Sequence, residues 1–415
     1  MNAPASWLVF VESNTSGTGR LLARAAGLNG FRPILLTADP SPYKFLEDEK
    51  LDTIQVNTRD VQALLDVCYN LAGSSKLAGV TSSSDHFLEI AAILAHHLGL
   101  PGSQPSTIHN CRDKQTQRLL LQAAGVDVPK FCSASSVEQA VTASQSIGFP
   151  VVLKPVSDNG STGVKLCKCL DEVVLHANAL LQRRQTERGL PIPHRILVEE
   201  LVVGPEYSVE VFGTRIVGIT EKHLGPLPYF VEVGHDHPAI LSAEVEKSIS
   251  LSVRRTLDAL DWGWGPAHVE LRITKGGPKI IEVNPRLGGD YIPELMNLAY
   301  DMDLISETVR LVVGAKPRLE KKASQHASIR FILPSREGLL KGIDGLDFAK
   351  QVPGVVEAQI YHQMGDRIHL QGNFRDRAGH VIGSGDTPMA ARAAVEFAHK
   401  AIQLTIKPDT TTPSA

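Results

Sequence analysis

His268-Val-Glu-Leu-Arg-Ile-Thr-Lys-Gly-Gly-Pro-Lys-Ile-Ile-Glu-Val-Asn-Pro-Arg286 reads as two strands joined by a Gly-Gly-Pro turn. Side chains alternate along a strand, so Glu282, Asn284 and Arg286 share one face, and Glu270 reaches that face from the partner strand. Two carboxylates and an amide oxygen among apolar residues suit a hard cation such as magnesium, which keeps water and takes its remaining ligands from phosphates. A guanidinium beside them sits where phosphoryl oxygens gather. Two acids alone would equally suit a hairpin with solvent-facing charges. The ordered set Glu, then Glu-x-Asn-x-Arg, favours a metal and phosphate site with Glu270, Glu282 and Asn284 as ligands.

Upstream, Phe149-Pro-Val-Val-Leu-Lys-Pro155 reads as a short buried strand carrying Lys154. The loop Val156-Ser-Asp-Asn-Gly-Ser-Thr-Gly-Val164 and a strand through Leu166 follow. Small residues such as Ser157, Gly160, Ser161 and Gly163 let backbone N–H groups approach phosphate oxygens closely, and Lys154 would add a point charge. Alone, the segment also fits an ordinary glycine-bearing hairpin. Arg195 to Phe212 presents a strand ending in two acids, a turn at Gly204-Pro205 and a returning strand. A purine needs an apolar slot edged by backbone donors and acceptors, and a ribose needs a carboxylate. Glu199, Glu200 and Leu201 fit the first need and Glu206 the second, although a surface hairpin suits the segment as well. The preceding stretch, about Gln182 to His194, is basic, polar and proline-bearing, and reads as a surface loop.

A chain of 415 residues exceeds one ordinary core, so roughly two to four structural units are expected. The residues from 1 to about 112 alternate strand and helix: a strand at Trp7–Glu12, a loop at Thr15–Arg20, a helix from about Leu21, a strand at Pro33–Thr37, and helices at Val61–Leu71 and His86–Leu98. That pattern predicts an open parallel sheet covered by helices. The loop at Gly17 to Gly19 lacks the full dinucleotide glycine spacing, and Asp39 is the sole acid near the end of the second strand, so a strand-to-helix turn is the better reading.

A net charge of −3 gives no general pull toward nucleic acid or anionic membrane. No apolar run reaches transmembrane length, and the opening residues run into a strand without a basic signal region. A cytoplasmic protein is expected. Cys68, Cys111, Cys132, Cys167 and Cys169 are odd in number and scattered, which argues for reduced thiols over a disulfide framework. Cys167 and Cys169 are expected on one face of a strand. The tail, 408–415, reads as disordered.

Lys114, Lys154 with its glycine loop, Glu199-Glu200-Leu201 followed by Gly204 and Glu206, Glu270, and Glu282-Val-Asn284-Pro-Arg286 occur in the order seen in ATP-grasp enzymes. Over about residues 1 to 315 the chain resembles that superfamily. The resemblance implies α/β and α+β architecture: a Rossmann-like domain over 1–112, an ATP-grasp domain over 113–315 with a small mobile lobe at about 132–200, and a β-rich cap over 316–407. Tyr229 to Ala239, Asn284 to Pro293 and the closing stretch from Ser328 through Arg367–Gln371 to a helix near Met389–Leu404 are similar to L-amino acid ligases. That branch joins two amino acids through an ATP-activated carboxylate.

The resemblance assigns Lys114, Lys154, Ser157, Gly160, Ser161, Gly163, Glu199, Glu200, Leu201 and Glu206 to ATP. It assigns Glu232, His235, Arg286, Gly288, Gly289 and Asp290 to the substrates, and two magnesium ions, with manganese as an alternative, to the acids. Arg286, Lys154 and Glu282 would carry the chemistry. The partners implied are a small-molecule carboxylate and amine, with a homodimer left open. Another ATP-grasp activity, such as a biotin-carboxylase-like or purine-pathway ligase, would keep the nucleotide site and change the acceptor pocket.

One departure from the family pattern stands out. Some relatives carry a bulky aromatic four residues after the arginine, and this chain has Asp290. A carboxylate there would make a roomier, negative wall suited to an amino or guanidino substituent, or it would cap the helix beginning near Pro293. His235-Asp236-His237 has a metal spacing but no third ligand of matching pattern, so a substrate wall is the preferred reading. Glu232 and His235 are both candidates to take the proton from the attacking amine.

Overall fold

The computed structural model describes residues 6–15, 17–186 and 188–408. β1 (Trp7–Val11), β2 (Arg32–Thr37), β3 (Asp52–Gln55) and β4 (Leu77–Thr81) form a parallel sheet ordered β3-β2-β1-β4. Every residue of β1 is buried: Leu8 and Phe10 enter one core, while Trp7, Val9 and Val11 enter another. A strand apolar on both faces is what a sheet covered on both sides requires. The first helix begins at Thr18, earlier than the sequence suggests, because Gly19 packs directly against the Asn14 carbonyl and shortens the loop.

β5 (Phe131–Ala134), β6 (Val151–Pro155), β7 (Lys165–Cys167) and β8 (Ile196–Glu200) make a small antiparallel sheet ordered β5-β8-β6-β7. Val151, Leu153, Ile196 and Val198 pack against the helices Val137–Ile147 and Leu170–Gln182. Alternation then turns Val152, Lys154 and Glu199 to the opposite face, toward the cavity described below. Cys167 is buried in β7, whereas Cys169 is exposed and precedes the next helix, so the two do not share a strand face. All five thiols are free.

The largest sheet has eight antiparallel strands. β9 (Glu206–Phe212), β10 (Arg215–Leu224), β11 (Glu232–His237), β12 (Pro266–Thr274) and β13 (Gly277–Asn284) are followed by β14 (His326–Ile332), β15 (Gly338–Asp344), β16 (Val355–Ile360), β17 (Arg367–Ile368), β18 (Gly379–Gly385) and β19 (Gln403–Lys407). Their order is β13-β12-β9-β10-β11-β14-β18-β16, with β17-β15-β19 as a separate sheet. β14 pairs with β11, so hydrogen bonding runs unbroken past residue 315 into the C-terminal third. That third therefore extends the same sheet.

Two further expectations change. β8 and β9 do not form a hairpin: β8 pairs with β5 and β6, whereas β9 pairs with β10 and β12. Gly204-Pro205 carries the chain from one sheet to the other, with Gly204 at φ +151 against the Ile273 carbonyl, where a Cβ would overlap. The final helix spans Pro388–Ala401, and Leu404 lies in β19, whose period-2 exposure marks a strand. Of the Arg367–Gln371 stretch, only Arg367–Ile368 is strand. All but residue 408 of the predicted tail lies outside the described residues. Among those described, no helix is long and apolar enough to cross a membrane.

Candidate active site

A cavity of about 1010 Å³ opens where the small lobe faces the eight-stranded sheet, between the N-terminal sheet and the C-terminal segment. Its floor is the β12–β13 pair. Register places Glu270 opposite Glu282 and His268 opposite Asn284, and all four line the cavity. Glu270 Oε1 receives Lys222 Nζ and His268 Nε2, each at 3.0 Å, and Glu282 Oε1 meets Lys114 Nζ at 2.8 Å. Burial works against the Glu270 charge, but Lys222 and His268 outweigh it and hold the carboxyl well below its usual range. Burial likewise opposes a charged His268, yet the Glu210 carboxylate at 2.7 Å and Glu270 push it up to about 10. Both floor acids keep 19% of their side-chain surface open. Two carboxylates and an amide oxygen on one face form the hard donor set that magnesium takes.

Lys222 is the centre of the acidic cluster. On β10, with 1% of its side chain exposed, it contacts Glu232 at 2.5 Å, Glu270 at 3.0 Å and Glu206 at 3.3 Å. Burial alone would discharge it, but three carboxylates raise its pKa well above the ordinary lysine value. Glu206 also holds Arg272 Nε at 2.8 Å.

On the small-lobe side, Glu199 is gripped by Lys154 at 2.6 Å and Arg118 at 2.7 Å, and Glu200 by Lys279 at 2.5 Å. Glu199 is thus part of a buried ion triad more than a bare purine edge, while Leu201 lines the cavity wall. Gly160 and Ser161 line the cavity too. Gly160, at φ +59, lies under the Phe374 ring and would admit no Cβ. Ser157 and Gly163 stand off the cavity wall: the Ser157 carbonyl accepts from Arg112 at 3.2 Å, and the Gly163 carbonyl is 2.9 Å from His176 Nε2.

Lys114 opens the helix Lys114–Ala123, capped by Asp113, and donates to the Asp158 carbonyl at 2.6 Å. Arg286 follows β13 and is aimed by Asp85 of the N-terminal domain, Nε to Oδ2 2.8 Å. Asp85 also holds Arg112 at 3.1 Å and accepts from Asn159 at 2.7 Å. These arginines overcome its burial and keep its carboxyl far below the usual range.

The substrate wall departs from the sequence reading. Asp290 neither caps a helix nor stands free, since the residue before the helix Ile292–Tyr300 is Tyr291, with no side-chain cap. Arg377 takes Asp290 Oδ1 at 2.5 Å and Oδ2 at 2.9 Å, and reaches Glu232 Oε2 at 2.7 Å. A carboxylate matched by a bidentate guanidinium is no longer a bare negative wall. Burial and the nearby Asp290 push the Glu232 carboxyl up to about 7, against the pull of Lys222 and Arg377. His235 lies behind this wall, fully buried, with neither ring nitrogen hydrogen-bonded and its ring edge-on to Phe331. Burial pushes its pKa down to about 4, so it is neutral. Glu232, His235 and Asp290 do cluster tightly enough to hold a metal, but the Arg377 guanidinium already neutralises the two acids. Gly288 also sits behind the wall, its N–H on Glu210 Oε2 at 3.2 Å, while Gly289 lines the cavity.

Lys222, His268, Arg377 and Asp85 escaped the sequence reading. A lysine and a histidine inside alternating strands carry a faint signal of burial. Arg377, in an irregular segment after a 3-10 turn, carries none.

Comparison with known proteins fits this geometry. The ATP-grasp domain family matches residues 147–294, and the L-amino acid ligase C-terminal domain 2 matches residues 330–407. The uncharacterised protein y4rH of Sinorhizobium fredii is 37% identical over 402 residues, covering 97% of this chain and 83% of that protein. Carnosine synthase 1 of Mus musculus is 30% identical over 265 residues, covering 60% of this chain and 32% of the synthase, so the chain spans about a third of that relative. An L-amino acid ligase from Bacillus licheniformis has the same fold, with a TM-score of 0.80 at 22% identity over 98% of this chain and 100% of that one. With both domains present in order, the chain belongs to the ATP-grasp superfamily in its L-amino acid ligase branch, a family of ATP-dependent ligases that form amide bonds.

Proposed function

We propose that this chain joins an amino acid or related carboxylate to an amine, itself an amino acid, through an acyl phosphate, releasing ADP and phosphate. The observation that carries this reading is the opposed pair Glu270 and Glu282 on the floor of a large cavity flanked by Lys114, Lys154 and Arg286. A C-terminal third matching the L-amino acid ligase domain favours this acceptor chemistry over a purine-pathway or carboxylase reaction. Five free thiols fit a cytoplasmic setting.

Glu270, Glu282 and Asn284 would hold two magnesium ions, with manganese as a substitute, which when bound would supply positive charge to offset that of the phosphates. Lys114 and Lys154 sit at the edges of this site, each held by one carboxylate, so their ammonium groups are positioned before the nucleotide arrives. A substrate carboxylate oxygen forms a bond to the γ-phosphorus as its bond to ADP breaks. The amine then attacks the acyl carbon, Arg286 stabilises the tetrahedral oxyanion, and phosphate departs. The Gly160 loop and the small lobe close over the site to exclude water, the competing nucleophile.

Of the two candidate bases, Glu232 lines the cavity and has a pKa near neutrality, whereas His235 does neither. Glu232 therefore accepts the amine proton in this scheme. As a base it must be ionised, so kcat/KM for the amine should fall about tenfold per pH unit below about pH 7. Glu232→Gln should be slow and lack that limb. A flat wild-type profile across neutrality would remove Glu232 from the role. The overall reading is tested by ADP release from ATP across a matrix of paired amino acids, with mass spectrometry of the products. It fails if no pair releases ADP with formation of an amide.

A further inference from the structure

Beyond the Glu232–Arg377–Asp290 cluster the cavity continues toward the C-terminal strands, where Glu294, Gln359, Tyr361 and His362 line it. Glu294 lies in the first turn of the helix Ile292–Tyr300. An acid there is favoured by the backbone dipoles, and the nearby backbone N–H of Glu294 favours its charged form. That explains its position on the helix but leaves one oxygen over. Oε2 is sealed from solvent and has no hydrogen-bond partner among the described residues, although the residue itself borders the cavity.

Among the described residues, no cation pairs with Glu294. Arg377, the guanidinium of this wall, is committed to Asp290 and Glu232. The charged groups acting on Glu294 are Glu357 and Asp303, both acids, and burial together with their repulsion pushes its carboxyl up to about 7. A buried carboxyl oxygen without a partner is costly and rare in a folded chain. When it stands on the wall of a ligand cavity, a ligand group is the natural partner. An apolar side chain would leave that oxygen unsatisfied and a neutral amide or hydroxyl would donate to it without neutralising it, whereas an ammonium, guanidinium or imidazolium would do both.

We propose that Glu294 is a specificity-determining residue that receives the positively charged side chain of one amino acid substrate, making this a ligase for basic amino acids. The assignment rests on the ligase reading and moves substrate selection from Asp290, which the protein itself neutralises, to Glu294, whose Oε2 no described residue satisfies.

The test uses the full-length enzyme with ATP, magnesium and a fixed second amino acid. ADP release is measured for two pairs of side chains of similar length, lysine against norleucine and arginine against citrulline. The wild type should favour the charged member of each pair by at least about tenfold in kcat/KM, and Glu294→Gln should collapse that ratio to near unity, mainly through a higher KM for the charged member. Glu294→Asp should restore part of the preference. An unchanged ratio in Glu294→Gln would overturn the assignment, and so would a loss shared equally by lysine and norleucine, which would mean that Glu294 holds the α-ammonium group or only supports the fold. ADP release with norleucine but no charged-side-chain preference sinks this inference alone. Absence of ADP release with every amino acid sinks the ligase reading and this one together.

Discussion

Glu282→Ala is expected to abolish ADP formation, with a fall of roughly a thousandfold or more in kcat, because one of two opposed carboxylates for the metal is removed and nothing nearby replaces it. Glu282 stands across from Glu270 in register, and Glu270 is already shared between Lys222 and His268. The remaining oxygen donor of the set, the Asn284 amide, carries no charge. Stability should change little, since Glu282 is partly open and its partner Lys114 keeps the Asp158 carbonyl. A coupled ADP assay and a thermal melt on the same preparation separate the two effects. Normal turnover by a folded Glu282→Ala enzyme would refute the metal assignment.

Lys222→Met should act on stability first. The ammonium lies among Glu206, Glu232 and Glu270 with 1% of its side chain exposed, so a neutral replacement leaves buried acids facing one another. Breaking a buried ion cluster from one side costs about 3–5 kcal/mol. The sign with pH is defined. Lys222 helps to hold the Glu270 carboxyl below its ordinary value of 4.5, so its contribution is present above that value and fades as pH falls through the lower, folded-state value. The deficit of Lys222→Met should therefore be largest near neutrality and shrink in acid. Urea denaturation of both proteins at neutral and acid pH measures it, and equal stabilities at neutral pH would show that the acids do not need the cation.

The parts of this molecule legible in the sequence are those with local period. β1 and β2, the Lys154 strand and the Glu270–Glu282 pairing follow from alternation and turn chemistry, and the two acids face the cavity where that alternation puts them. Partnerships across long sequence separations left no local trace. Nothing near Asp290 announces that Arg377, 87 residues on, will neutralise it, and nothing near Arg286 announces Asp85, 201 residues before it. The apparent hairpin at Gly204-Pro205 misled for the same reason. Two adjacent strands with a turn signal look alike whether they pair with each other or with strands elsewhere, and only the competition among sheets decides.

The joining of β11 to β14 carries one further consequence. A continuous ladder of backbone hydrogen bonds ties the strands of Glu270 and Glu282, the strand of Glu232 and the C-terminal strands into one sheet. Trimming the protein after residue 315 would strip β11 of its neighbour and leave a bare strand edge, a surface prone to sticking to other chains. The small four-stranded lobe lies outside that ladder and is joined to the rest by two stretches of chain, residues 124–130 and the turn at Gly204.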